Sequence, residues 1–204
     1  MTARCINKNN PLLLASSSPR RKTLLEQINV PVHILPGHVD ESRVSQKPAL
    51  HARMLAEKKA RAAAAELTAH WTLGADTIVV LGEEVLGKPQ NTQEAARMLS
   101  KLNAKEHEVI TAFSLLDQAG SLAHREEVFT RVRMKTLHKE EIGAYIATGE
   151  PFGKAGSYAI QGLGAFMVES ISGSYTNVVG LPLCALVKAL VNTGAWQGFP
   201  LPQG

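Results

Sequence analysis

The sequence predicts an α/β fold with a mixed sheet flanked by helices, and three observations carry that reading. Short apolar runs alternate with longer amphipathic or alanine-rich segments through the first hundred residues, the pattern of strands followed by helices. Two long β-type runs joined by Asp117-Gln118-Ala119-Gly120 then read as an antiparallel hairpin late in the chain. No internal repeat or low-complexity linker interrupts the order, so residues 1–204 are expected to form one domain.

Leu12-Leu13-Leu14-Ala15 has the length and apolarity of a buried strand. Ser18-Pro19 follows as an N-cap with proline at the first helical position, where its missing N–H costs nothing, and predicts a helix over residues 19–28. Residues 32–39 resemble a second strand. Residues 48–67, rich in Ala, Glu, Lys and Arg, carry the strongest helix signal, because these side chains lose little freedom on a helix. Residues 74–81 give a third strand, with Gly82-Glu83-Glu84 turning the chain into residues 85–89.

Residues 92–102 fit an amphipathic helix, with Thr92 as its cap and Ala96, Leu99 and Leu102 on one side. The hairpin strands are expected over residues 108–116 and 127–136, and a further helix over 138–148. Residues 153–180 are glycine-studded, irregular and β in character, and residues 181–192 form a closing helix. Both ends, residues 1–10 and 194–204, are expected to be loose, the latter from its Pro and Gly content.

Composition narrows the function. Lys and Arg exceed Asp and Glu by only four, and aromatic residues make up 5%; a nucleic-acid binder usually shows a denser basic stripe interleaved with aromatics. The mild excess suits a small polyanion better than a stable nucleic-acid partner. Cys5 and Cys184 have neither redox nor zinc spacing, and the scattered histidines offer no metal pattern. The apolar run at residues 11–15 is too short to span a membrane, so a cytoplasmic address is expected.

Three segments could carry chemistry. The strand-to-helix turn at Ser16-Ser17-Ser18-Pro19-Arg20-Arg21 would aim free helix N–H groups and two guanidinium groups at one anion. Equally, it could be a capped surface helix with a solvated Arg pair. In Gly74-Ala75-Asp76-Thr77 a carboxylate sits within an apolar strand. It requires a partner: a divalent cation completed by substrate phosphates, or a neighbouring Lys or Arg. Lys88, in Gly87-Lys88-Pro89, lies at a turn beyond that strand, where its ammonium could reach the same site, and of the adjacent Lys58 and Lys59 spacing does not say which points inward. The glycines around Lys154 and Gln161 fit either close backbone approach to a ligand or tight turns.

Taken in order, Leu14-Ala15-Ser16-Ser17-Ser18-Pro19-Arg20-Arg21, Asp40-Glu41, Leu55-Ala56-Glu57-Lys58-Lys59-Ala60, Gly74-Ala75-Asp76-Thr77, Gly87-Lys88-Pro89, His107 with Val109 and Thr111, Lys154-Ala155-Gly156, Tyr158 with Ile160-Gln161-Gly162, and Asn177-Val178-Val179-Gly180-Leu181-Pro182 resemble the Maf family of septum-formation-inhibitor-like nucleotide pyrophosphatases. The resemblance spans nearly the whole chain. It implies an elongated, curved mixed sheet and two lobes around a deep cleft, similar to inosine triphosphate pyrophosphatases. It also implies hydrolysis of a nucleoside triphosphate to monophosphate and pyrophosphate, assisted by Mg²⁺ or Mn²⁺. Asp76 takes the family's proton-acceptor position, and Glu41, Lys59 and Lys88 take its other catalytic positions, with Glu41 and Asp76 as metal ligands. Ser16, Arg20, Arg21, Thr77, Lys154 and Gln161 are expected to bind substrate.

Arg20, Thr77 and Gln161 resemble the subfamily acting on dTTP and UTP, whereas a sister subfamily acting on 7-methyl-GTP carries an aromatic residue, Gln and Glu there. That sister activity and a noncatalytic role in cell division are the alternatives, and a homodimer is compatible with the family. Two positions depart from its pattern: Gly153 replaces a usual Asp, and Ala104 a usual Gly.

Overall fold

In a computed structural model, which describes residues 5–41 and 47–197, the chain is an α/β protein. Its strands are β1 (Leu12–Leu14), β2 (Val32–Ile34), β3 (Thr72–Leu81), β4 (Glu84–Leu86), β5 (Glu106–Leu116), β6 (Leu122–Met134) and β7 (Val168–Ser172). The helices are α1 (Pro19–Gln27), α2 (Pro48–Glu66), α3 (Thr92–Leu102), α4 (Lys139–Ala147), α5 (Tyr175–Val179) and α6 (Leu183–Asn192). The strand order is β2-β1-β3-β5-β6-β7, with β4 on β3, and it mixes parallel with antiparallel pairs. By contacts the chain divides into two compact units, and β3, β5 and β6 contribute residues to both.

The first unit comprises Met1–Asp76, Thr111–Val128 and Gly180–Gly204. Here β1 pairs in parallel with β2 and with β3, so α1 and α2 are the crossovers such pairing requires. Leu12, Leu13, Leu14 and Leu73 are fully buried, as expected of strands with apolar neighbours on both faces. The second strand is shorter than the sequence suggested: it ends at Ile34, and Pro36-Gly37 follows it. Gly37 is needed there, since a Cβ would stand 2.2 Å from the carbonyl oxygen of Lys59. The ends are also less loose than expected. Ile6 N–H bonds to the Ala195 carbonyl at 2.8 Å, and Ile6 and Trp196 are buried; a large apolar ring gives the C-terminal segment an anchor that its glycine content conceals. Residues 1–4 and 198–204 lie outside the described residues.

The second unit comprises Thr77–Ile110 and Phe129–Val179. Its core joins Val79 and Leu86 to Met98, Leu99 and Leu102 of α3 and to Ile142, Tyr145 and Ile146 of α4. The α3 cap is Asn91 instead of Thr92: its side chain accepts the Glu94 N–H at 2.9 Å, satisfying one helix-end donor, and the Glu94 carboxylate accepts the Gln90 N–H just before the cap. The hairpin strands start earlier than expected, β5 at Glu106 and β6 at Leu122, while β6 ends at Met134, two residues short of the expected limit; α3 matches its expected span and α4, Lys139–Ala147, is one residue shorter at each end. Ala104, just beyond α3, has φ +55°, the left-handed conformation that glycine adopts without strain. The glycine-studded region resolves into short 3₁₀ turns, β7 and α5.

Candidate active site

The first unit concentrates charge around α2. Lys59 is buried, and its ammonium lies 2.7 Å from Asp76 Oδ1 on β3 and 2.7 Å from Glu41 Oε1 in the loop after β2. Asp76 thus meets its need for a partner through a lysine, the ion-pair alternative that the sequence left open. Lys59 is the inward member of the lysine pair.

Small residues make this contact possible. A Cβ on Gly74 would lie 2.1 Å from the Ala56 carbonyl oxygen and 2.7 Å from the Ala60 nitrogen. Gly74 therefore lets β3 touch the backbone of α2 directly beside Lys59, while Gly37 does the same for the loop after β2. With both approaches at backbone contact, the lysine stem spans the remaining gap to the two carboxylates.

The turn at the start of α1 is organised differently from the expectation of two anion-facing arginines. Arg21 is buried, with Nε donating to the Gly180 carbonyl at 2.8 Å and an Nη to Ser16 Oγ at 2.9 Å. Burial lowers its pKa below the ordinary guanidinium value; Asp76 and Glu41 oppose that shift, and Arg20 adds to it. Arg21 therefore ties the turn to Gly180, 159 residues away in sequence, a link local pattern does not reveal. Arg20 is half-buried and likewise lowered by desolvation. Ser16 Oγ also accepts the Ser18 N–H at 3.2 Å, and Ser18 caps α1 by backbone position without a side-chain bond.

In the second unit, Lys88 is exposed and Lys154 is half-buried. Their loops are joined where Gly156 N–H bonds to the Gly87 carbonyl at 3.1 Å, and at Gly156, with φ +71°, a Cβ would stand 3.0 Å from the Val79 side chain. The Lys154 ammonium donates to the Glu150 carbonyl. Thr77 continues β3 directly after Asp76, and Gln161 lies in an irregular stretch between two 3₁₀ turns. His107 is buried against Tyr158 at 2.8 Å, and desolvation pushes its pKa down to about 4, making it a neutral framework group.

Glu41 and Asp76 each engage Lys59 through one oxygen, and carboxylates are the donor type a hard cation takes, with phosphate and water supplying its remaining ligands. The pair fits such a substrate-completed site. Among the described residues there is no group of three His, Cys, Asp or Glu side chains able to form a protein-only metal cage.

Comparison with known proteins places this geometry in a family. The family model for Maf-like proteins matches residues 11–193, a span that runs through both units. The chain belongs to the Maf family. Its relatives include the dTTP/UTP pyrophosphatase of Citrifermentans bemidjiense, 49% identical with 92% of this chain and 98% of that protein covered. The protein of that name from Geobacter sp. strain M21 shows the same identity and coverage. That of Ruminiclostridium cellulolyticum is 51% identical over 88% of this chain and 94% of its own. A solved dITP/XTP pyrophosphatase from Mycobacterium abscessus reaches a TM-score of 0.40 at 14% identity, covering 68% of this chain and 95% of that one; so slight a likeness carries no argument. No described helix is long and apolar enough to cross a membrane.

Proposed function

We propose that this Maf-family chain hydrolyses dTTP and UTP to the nucleoside monophosphate and pyrophosphate. The observation that carries the reading is the Lys59 ammonium held between Asp76 and Glu41. Lys59 fixes Oδ1 of Asp76, and the Asp76 carboxylate accepts a proton from the water that attacks phosphorus. The α–β phosphoanhydride bond breaks, and pyrophosphate leaves with its electron pair. Arg20, Lys88 and Lys154 balance phosphate charge, the main demand of phosphoryl chemistry. Ser16 accepts in both of its hydrogen bonds, so its O–H is the group that donates to a phosphate oxygen, and Arg21 holds that hydroxyl in place. Glu41 and Asp76 would also hold Mg²⁺ or Mn²⁺, which supplies Lewis-acid polarisation when bound.

Substrate choice rests on Arg20, Thr77 and Gln161 together with the names carried by the relatives. The Gln161 amide can both donate to and accept from a pyrimidine edge. On this reading residues 1–204 act as one functional domain. The test is pyrophosphate release from dTTP, UTP, CTP and 7-methyl-GTP, with and without Mg²⁺, comparing wild type with Asp76→Asn. The expected result is preference for dTTP and UTP, dependence on the cation, and a loss of about 10³-fold in kcat for the variant with its fold retained. Faster turnover of 7-methyl-GTP would move the chain to the sister activity; absence of any triphosphate cleavage would leave a noncatalytic role.

A further inference from the structure

Gln161 stands in a stretch that is neither helix nor strand: after the 3₁₀ turn Ala155–Ser157, regular structure resumes only at Leu163. A side chain meant to read a base needs a fixed root, and the backbone here receives no support from a ladder of its own. The support comes from Glu150. Its Oε1 accepts the Leu163 N–H at 3.0 Å and its Oε2 the Gly164 N–H at 2.8 Å. The Tyr145 hydroxyl accepts the Ala159 N–H at 3.1 Å and acts electrostatically on the same carboxylate, helping to hold its pKa down. Residues 163 and 164 are thereby held on the carboxylate and residue 159 on the phenol, with Gln161 between them.

The glycines confirm how tightly the chain wraps this centre. Gly162 has φ +80°, and a Cβ there would meet Glu150 Oε1 at 2.4 Å; one on Gly164 would meet the Ala159 carbonyl at 2.5 Å and the Tyr145 hydroxyl at 2.8 Å. Burial raises the Glu150 carboxyl, but the Gly164 N–H, the Tyr145 hydroxyl and the Leu163 N–H, with Lys154 nearby, more than offset this and hold it below its ordinary range. It is therefore an acceptor throughout the neutral range, the state that its two backbone donors require.

We propose that Glu150 is a positioning residue for substrate selection, fixing the loop that presents Gln161 to the pyrimidine base. The inference rests on the reading of the chain as a dTTP/UTP pyrophosphatase, and it deepens that reading by naming the group behind the base contact. Glu150 touches no reacting atom in this role. Its loss should weaken nucleotide discrimination more than the chemical step.

The test pairs steady-state kinetics with hydrogen exchange of the substrate-free protein, using wild type, Glu150→Ala and Tyr145→Phe. Glu150→Ala should raise KM for dTTP and UTP about tenfold while kcat changes less than about threefold, and the preference for dTTP over CTP should shrink by a similar factor. Tyr145→Phe, which keeps both Glu150–amide bonds, should shift the same quantities in the same direction by less. Exchange should accelerate across residues 159–164 and stay unchanged in α3. A fall in kcat at constant KM with discrimination intact, or unaltered exchange at residues 159–164, overturns the proposal. If wild type cleaves neither dTTP nor UTP, the functional reading fails by itself, and the exchange measurement still decides whether Glu150 holds the loop.

Discussion

The two units hold their carboxylates in different ways. In the first, a buried ammonium meets charges: Lys59 faces Asp76 and Glu41, while the buried Arg21 turns to the Gly180 carbonyl and the Ser16 hydroxyl. In the second, the comparable groups are neutral or are satisfied by backbone: His107 on Tyr158, Asn177 on the Val109 carbonyl and Thr130, and Glu150 on main-chain N–H groups. Charge pairs can exchange partners when a phosphate or cation arrives, whereas a carboxylate bonded to backbone amides cannot leave without releasing the loop. One arrangement suits a reaction and the other suits a fixed shape.

The contrast can be broken most forcefully at Lys59. Lys59→Met strands the buried Asp76 carboxylate and should destabilise the protein by about 4 kcal/mol, with much of that recovered in Lys59→Met/Asp76→Asn, as read from urea denaturation. Recovery is the sharper observation, because a packing defect would not be repaired by a second substitution.

For the neutral side, pH is the lever. The folded state lowers the His107 pKa from 6.5 to about 4, so the unfolded chain binds a proton that the folded chain refuses. This stability is present above pH 6.5 and is lost as pH falls towards 4. Wild type should therefore lose about 3 kcal/mol more than His107→Gln between pH 7 and pH 4. The glutamine can still bond to Tyr158, so equal slopes for the two proteins would show that His107 does not carry the effect.

Smaller effects probe the backbone contacts. Gly74→Ala forces a Cβ into the carbonyl of Ala56 and should cost about 2–3 kcal/mol, with kcat falling as β3 and Lys59 move apart. Ala104→Gly relieves a left-handed alanine and should raise stability by about 1 kcal/mol without altering activity, measurable as a higher Tm.

Local chemistry made much of this legible. Proline at the first turn marked the starts of α1 and α2, the Asp117–Gly120 turn placed the hairpin, and a carboxylate in an apolar strand required a partner. That Lys59 and not Lys58 belongs to the site followed from family resemblance, since spacing alone could not separate them, and its pairing with Asp76 came with the structure. What stayed hidden depends on contacts distant in sequence: Arg21 on Gly180, Ile6 on Ala195, and the work of Glu150 on residues 163 and 164. Glu150 left one faint signal, a lone carboxylate in a glycine-dense run, but glycines mark turns as often as they mark a wrapped side chain.

Gly37 and Gly74 have a consequence for how this chain can change over generations. Pressed on two sides at backbone level, α2 is held in phase as well as in place. An insertion within α2 before Lys59 would swing that lysine by about 100°, and no side-chain adjustment at the two glycine contacts could absorb the turn. Length can vary more freely beyond the second contact, in the alanine run after Ala60, where a shift changes the exit of the helix and leaves its charged residue aimed as before.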